Sequence, residues 1–180
     1  LVGLHDAPII KGTVGNTVST FNSDLDENVS RNPVSETFTT IHNGAGTAVT
    51  TTGDAHSLFI RATATTDEYD LMRRSGHRFD TSSLSGASIT AATFSIFPEE
   101  FPTSSVSAAD GFGSTEIVID RPTTIASVTS DYDIGNWATV AQSNTLLPIA
   151  SYISNGLNYN DFPLNGTGTG NVNQSGNTNL

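Results

Sequence analysis

Carboxylate side chains fall in short turns along the chain, and their spacing suggests a binding site for a hard cation. Asp131 and Asp133 flank a tyrosine, Asp161 ends the run 158–161, and another acidic turn covers residues 67–70. Calcium prefers such clusters of carboxylate and carbonyl oxygens. We therefore treat Asp131, Asp133 and Asp161 as candidate ligands of a structural Ca²⁺, with solvated Asx turns as the alternative explanation. No other cofactor is expected.

Aromatic side chains stand in or beside the same turns and suggest a platform for a sugar. Trp137 is the only tryptophan of the chain, and Tyr132 and Tyr159 lie inside acidic turns. A pyranose ring has an apolar face that packs on aromatic rings, and its hydroxyls need polar partners. Trp137, Tyr132 and Tyr159 are therefore candidate ligand-binding residues. For Trp137 the alternative is a core position between two sheets, because large aromatics dominate protein cores.

The residues that catalysis requires are not arranged for it. The four histidines lack the helical i, i+4 spacing of a zinc protease. Ser88 lacks the second glycine of a nucleophile elbow. The absence of cysteine excludes thiolate nucleophiles and zinc–cysteine sites. The sequence therefore predicts a protein that is not an enzyme.

Composition and charge exclude further classes of partner. The 180 residues carry 18 acidic side chains against 7 basic ones, a formal net charge of −11. Binding to nucleic acid or to an anionic membrane surface needs basic residues. No segment approaches the roughly 20 apolar residues of a membrane helix. Neither nucleic acid nor a membrane is an expected partner.

The elements that position these side chains are predicted to be short strands, because Thr and Val favour the pleated surface whereas Ser, Asn and Gly favour turns. Candidate strands cover residues 37–42, 57–63, 70–75, 87–97, 115–120, 124–129, 137–141 and 146–153. Regular spacing with turns between strands is typical of a β-sandwich. The expected fold class is all-β, an antiparallel β-sandwich over residues 37–180 that ends in a flexible, Gly/Asn-rich segment. The glycine-rich run 166–170 is assigned to that flexible end, since no lysine of a phosphate loop follows it.

Residues 1–36 differ from the rest of the chain. Two short apolar runs are followed by a polar, acidic stretch. Pro8, Gly12 and Gly15 oppose a helix, and Asn32-Pro33 favours extended backbone. The segment 1–36 is therefore predicted to be an extended N-terminal arm, which either lies on its own sandwich or adds to the sheet edge of a neighbour.

Three stretches resemble one group of β-domains. The run RFDTSSLSGASITAATFSIF (78–97) resembles the FDTSSLP-x-x-A-x-I-x-x-A-x-L-x-L-Y signature of DNRLRE-type, carbohydrate-binding-module-like jelly rolls. SVTSDYDIGNW (127–137) and NYNDFPLNGTG (158–168) are similar to later stretches of the same group, in the same order. The resemblance implies a jelly-roll-like fold, and such domains occur in secreted proteins and in phage structural proteins. It supplies no catalytic residue.

The residues and the resemblance together predict a non-catalytic structural or attachment module of an extracellular assembly. A phage virion protein is the leading case, as a fibre, tail, or capsid surface or decoration component. The expected location is a virion or the extracellular space. Expected partners are other copies of the chain or neighbouring subunits, and a cell-surface glycan. The alternative is a carbohydrate-binding module of a secreted protein, and a third hypothesis is a hydrolase of unknown type.

Overall fold

Antiparallel β-structure dominates the protein. A computed structural model describes residues 8–14, 17–51, 58–97, 116–144, 146–148, 151 and 158–180. The chain is mostly β, with several antiparallel sheets and two short helices in its described part. The predicted all-β, antiparallel fold class is confirmed.

Twelve strands and two short helices make up the described part of the chain. The strands are β1 (Ile9–Val14), β2 (Thr17–Asn22), β3 (Leu25–Arg31), β4 (Glu36–Thr37), β5 (Ala48–Thr50), β6 (Phe59–Ala62), β7 (Glu68–Asp80), β8 (Ile89–Ile96), β9 (Glu116–Ile117), β10 (Leu147–Pro148), β11 (Asn160–Pro163) and β12 (Asn177–Asn179). The helices are α1 (Phe38–Asn43) and α2 (Gly166–Gly170), and single 3₁₀ turns cover Ser82–Leu84, Thr129–Tyr132 and Ile134–Asn136.

The chain forms two compact units, each made of separate stretches. The first unit is built from Leu1–Ser23, Phe79–Asp120 and Ala141–Thr178, and the second from Asp24–Arg78, Arg121–Val140 and Asn179–Leu180. The division predicted at residue 36 is therefore not the one that the structure has.

The sheet of the first unit contains four strands in the order β11–β8–β1–β2. Strand β8 confirms the predicted strand over residues 87–97. The core packs around three aromatic rings. The Phe94 ring lies 6.0 Å from that of Phe79 and 6.2 Å from that of Phe162, measured between centroids. All three side chains are buried.

The sheet of the second unit is organised around the long strand β7. Its strand order is β12–β7–β3–β5, and β4 and β6 also pair with β7. The side chains of Val29 on β3 and Ile41 on α1 are fully buried, and that of Leu71 on β7 nearly so. The predicted strands 57–63 and 70–75 are confirmed in their described parts by β6 and β7.

The predicted N-terminal arm is extended, but it is part of the sheets. Strand β1 lies between β2 and β8 in the first unit, and β3 lies between β5 and β7 in the second. Ile9 and Ile10 are buried in β1, so the apolar run that suggested a separate arm is core sequence. Removing residues 1–36 would take interior strands out of both units.

Three predicted strands are wrong. Of residues 37–42, Thr37 ends β4 and residues 38–42 belong to helix α1. The Thr37 side chain caps this helix by accepting a hydrogen bond from the Thr40 N–H. Residues 124–129 and 137–141 form turns, with one isolated bridge between Pro122 and Trp137. The predicted strands 115–120 and 146–153 are shorter in the structure, where β9 and β10 each have two residues. Positions 115, 149–150 and 152–153 lie outside the described residues.

The C-terminal end, predicted to be flexible, forms helix α2 and strand β12. Asn165 caps α2 by accepting a hydrogen bond from the Gly168 N–H at 2.8 Å. The buried Thr81 hydroxyl lies 2.8 Å from the buried Thr178 hydroxyl, and it donates to the Asn173 carbonyl at 2.6 Å. These internal hydrogen bonds replace the hydration that a Gly/Asn-rich segment would otherwise require.

Candidate functional site

Two of the predicted calcium ligands, Asp131 and Asp133, accept hydrogen bonds from backbone N–H groups. The Asp131 carboxylate accepts hydrogen bonds from the N–H groups of Ala126 at 2.8 Å and Val128 at 3.2 Å. Asp133 accepts one from the Gly46 N–H. Within the described ranges, no group of three or more acidic or histidine side chains could hold a metal ion. Asp131 and Asp133 therefore hold backbone N–H groups of other turns in place. Asp131 is 2% exposed, so the alternative of a solvated Asx turn does not describe it either.

Asp161, the third predicted ligand, belongs to the first unit and lies on β11. Its carboxylate accepts a hydrogen bond from the Ser95 hydroxyl at 2.6 Å. The Ser95 side chain is fully buried, so this bond satisfies a hydroxyl that would otherwise be costly to bury. The role of Asp161 in this structure is to pair with its neighbouring strand.

Tyr132 is wrongly predicted as a sugar platform. Its side chain is fully buried, and its hydroxyl donates to the Ile41 carbonyl at 2.6 Å. The Arg74 guanidinium lies 4.3 Å from the centroid of the Tyr132 ring and donates to the carbonyls of Tyr132 and His42. Tyr132 therefore fixes the loop Arg121–Val140 against α1 and β7.

Trp137 and Tyr159 keep part of their surface exposed. The indole N–H of Trp137 donates to the Asp131 carbonyl at 2.9 Å, and Arg74 lies 5.9 Å from the centroid of its ring. Tyr159, in the first unit, packs edge-on against Phe97 with 5.5 Å between centroids. Both rings have a partner within the protein. Trp137 is only half-buried, so it is not the core residue of the alternative interpretation, and Trp137 and Tyr159 stay predicted ligand-binding residues.

A buried carboxyl pair lies beside the same loop. Glu27 on β3 is 1% exposed, and its Oε2 accepts a hydrogen bond from the Ser127 N–H at 2.9 Å. The Glu27 carboxyl also hydrogen-bonds to the Asp131 side chain, and no N–H or hydroxyl group among the described residues donates to its Oε1. Burial, and next the negative charge of Asp131, raise the pKa of Glu27 to about 8. Glu27 is therefore protonated at neutral pH.

This carboxyl pair has the electrostatics of an acid–base site without access to a substrate. Asp131 is 2% exposed, so both groups are closed off from solvent. A Cβ at Gly76, the residue opposite Glu27 on β7, would lie 3.1 Å from Glu27 Oε1. The glycine leaves just enough room for the carboxyl group. Sequence patterns did not reveal this pair, although Glu27 shares a strand face with the core residue Val29.

An exposed aromatic cluster on the second unit was also missed. It consists of Phe38, His42 and Tyr69, and we call it the Phe38 cluster. The Phe38 ring stacks on His42 at 5.5 Å and meets Tyr69 edge-on at 5.8 Å, and 48% of Phe38 is exposed. The helix brings Phe38 and His42 together at i, i+4, whereas a strand over 37–42 would hold them about 13 Å apart. Exposed apolar clusters mark sites of contact with other molecules.

A second candidate is a polar groove in the first unit, with a volume of about 640 Å³. Its lining combines hydroxyl and amide side chains with the backbone of three glycines. The polar side chains are those of Ser88, Thr90, Asn144, Asn165, Thr169 and Gln174. Side chains of these types both donate and accept hydrogen bonds, although the Asn165 amide already bonds to the Gly168 N–H and to the Ala141 carbonyl. No lining residue is charged. The groove suits an uncharged, hydroxyl-rich ligand.

Comparisons with known protein families, with curated proteins and with solved structures find no match to this chain. None of the helices in the described part has the length and apolar character that a membrane crossing needs. A function is therefore proposed from the geometry and from the resemblance that residues 78–97, 127–137 and 158–168 carry.

Proposed function

We propose that the protein is a non-catalytic structural or attachment module of an extracellular assembly. A phage virion protein is the leading case, as a fibre, tail, or capsid surface or decoration component, and the sequence resemblance supports that choice. The observation that carries the proposal is the Phe38 cluster, in which an exposed phenylalanine ring is held against His42 of the same helix and Tyr69 of β7.

The internal use of polar groups supports a non-catalytic role. Asp131, Asp133 and the Trp137 indole each bond to backbone groups, and Glu27 is closed off from solvent. A catalytic acid, base or nucleophile must reach the substrate within hydrogen-bond distance. These four side chains hold the described part of the fold together instead.

The Phe38 cluster has the make-up of an attachment point. Fully burying a phenylalanine side chain contributes about 1.5–3 kcal/mol, and aromatic anchors surrounded by polar groups dominate protein interfaces. The polar groups here are already ordered. Arg31 bonds to Glu36 with an N–O distance of 2.6 Å, and Ser35 bonds to Glu68. Ordered groups lose little further freedom when a partner binds.

The test uses extracellular particles purified by density gradient from the source of the protein. We expect this chain at fixed stoichiometry with the main particle proteins by mass spectrometry, and recovery only as free protein would contradict the proposal. Purified chain added back to the particles should bind, and Phe38→Ala should weaken binding by roughly tenfold or more. Val128→Ala is the matched control, because Val128 is 44% exposed in the same unit.

The alternative function, a carbohydrate-binding module, is favoured by the polar groove. A glycan array screened with the native chain tests it directly. Loss of a glycan signal in Asn144→Ala, with the signal kept in the exposed control Ser83→Ala, would support a sugar site in the groove. Absence of any signal across neutral glycans would remove this alternative.

A further inference from the structure

The sheet of the first unit ends on strand β2, which has no strand on its outer side among the described residues. The strand is six residues long, and 63% of Val18 is exposed. An edge strand presents a row of backbone N–H and C=O groups that can pair with another strand. The outer edge of β2 is therefore a candidate interaction surface.

The backbone of β2 alternates in direction, and one hydrogen bond fixes which residues face outwards. The Ser23 N–H donates to the Pro8 carbonyl at 3.0 Å, one position beyond the last pair of the β1–β2 register, Ile9 with Asn22. Hydrogen-bonded and non-hydrogen-bonded pairs alternate along an antiparallel ladder. Counting back from Ser23, every second residue of β2 directs its N–H and C=O away from β1. These residues are Val18, Thr20 and Asn22.

Other edge strands of the described sheets carry features that discourage pairing. Strand β11 contains Asp161 and Pro163, β6 contains Arg61, and β5 has three residues. Charges, prolines and short length are the usual protections of a sheet edge. Strand β2, with the sequence TVSTFN, has none of these protections.

We infer that β2 pairs antiparallel with β2 of a second copy of this chain, about a two-fold axis at Thr20. The inference rests on the proposed role in an assembly and names one of its contacts. In this register Thr20 faces Thr20 of the second copy, and Val18 faces Asn22. All the outward N–H and C=O groups of these residues are then satisfied, and the two four-stranded sheets become one continuous sheet.

A second copy fits this edge better than an unrelated strand for two reasons. The three outward residues are symmetric about Thr20, so an identical antiparallel strand matches all of them. The strand is also uncharged although the chain carries a net charge of −11, so identical strands meet without direct repulsion. Lys11 on β1 pairs with Thr20 on β2. In the dimer the two Lys11 residues would lie on strands about 14 Å apart, which is beyond the electrostatic screening length of about 8 Å.

The test measures self-association of the full chain by sedimentation velocity over a range of concentrations. Thr20→Pro removes an outward N–H, and an edge strand tolerates proline at such a position. We expect the variant to keep its circular dichroism spectrum and to dimerise roughly tenfold or more weakly. Thr20→Lys places like charges opposite each other and should have the same effect. Thr50→Lys, on the exposed edge strand β5, is the matched control and should dimerise like the native chain.

A charge-swap mixture makes the result specific to this edge. Thr20→Lys and Thr20→Asp should each dimerise weakly alone. The mixture should associate more tightly than either variant, because opposite charges then face each other across the dimer while Lys11 on β1 is common to both variants. Native-like dimers of folded Thr20→Pro, no rescue in the mixture, or a native chain that stays monomeric would overturn the inference. The particle-binding assay with Phe38→Ala does not involve β2. If the β2 dimer is not found, that assay still decides whether the proposed function is correct.

Discussion

Two turn-rich segments of this protein are held in place by chemically different side chains. The loop Arg121–Val140 of the second unit is held by a carboxylate, since Asp131 accepts from two backbone N–H groups. The segment Asn165–Asn173 of the first unit is held by neutral amides. Asn165 Nδ2 donates to the Ala141 carbonyl at 2.7 Å, and Asn171 Nδ2 donates to the fully buried Gln142 Oε1 at 2.7 Å.

The difference matters because a carboxyl group titrates and an amide does not. The carboxylate-held loop contacts Glu27, a second buried acid, through the Ser127 N–H. Burying charge without full compensation is costly, whereas a satisfied amide is neutral at every pH. We expect the carboxylate-held loop to be the more fragile of the two segments and the one that responds to pH.

The largest expected effect is that of Asp131→Ala, which strips the carboxylate-held loop of its anchor. It leaves the N–H groups of Ala126 and Val128 without their acceptor, and we expect a loss of about 3 kcal/mol in the free energy of unfolding. Urea unfolding followed by Trp137 fluorescence measures it, since Trp137 lies in this loop. Asp133→Ala, which releases the single N–H of Gly46, should cost about 1 kcal/mol. Equal losses would show that Asp131 is not the anchor.

Alanine substitutions at the glycines of the amide-held segment should differ in effect, because the space around each glycine differs. A Cβ at Gly168 would collide with the Gln142 carbonyl, whereas Cβ atoms at Gly166 and Gly170 would meet nothing within 4 Å. Backbone cannot yield easily, so Gly168→Ala should cost about 2 kcal/mol. Gly170→Ala, at the end of α2, should be neutral or stabilising by up to about 1 kcal/mol.

Hydrogen exchange of the first-unit amides monitors the glycine variants. Faster exchange in Gly168→Ala than in Gly170→Ala is the expected result. Equal protection in both variants would mean that α2 does not pack closely on the chain around Gln142.

The sequence predicts the strands whose signals are local. The β-favouring residues of 87–97, with turn residues on either side, predict a strand there, and β8 covers Ile89–Ile96 of it. The Thr-rich sequence of α1 favours a strand instead of a helix, and the helix depends on a cap at Thr37 and on β4 pairing with β7. Short segments with conflicting local preferences take the structure that their distant partners stabilise.

The candidate site was less predictable for the same reason. The sequence predicted Asp131 as a calcium ligand and Tyr132 as a sugar platform, whereas their roles in the structure depend on residues far away in the chain. Tyr132 bonds to Ile41, 91 positions earlier, and Glu27 bonds to Ser127, 100 positions later. Local sequence patterns show which residue types could take part in catalysis or binding. They do not show whether a side chain points into the core or into solvent.

The last prediction concerns pH and Glu27, and its sign follows from the raised pKa. Between pH 4.5 and about 8, folded Glu27 keeps a proton that the unfolded chain releases. The free energy of unfolding should therefore fall as pH rises through this range, by at most about 1.4 kcal/mol per pH unit, and level off above pH 8. Glu27→Gln cannot ionise and should remove this slope, so it should exceed the native chain in stability at pH 9. Urea midpoints from pH 5 to pH 9 measure this, with the exposed Glu116→Gln as control. A native slope that persists in Glu27→Gln would assign the titration to another group, and the carboxylate-held loop would then owe its pH response to residues other than this buried pair.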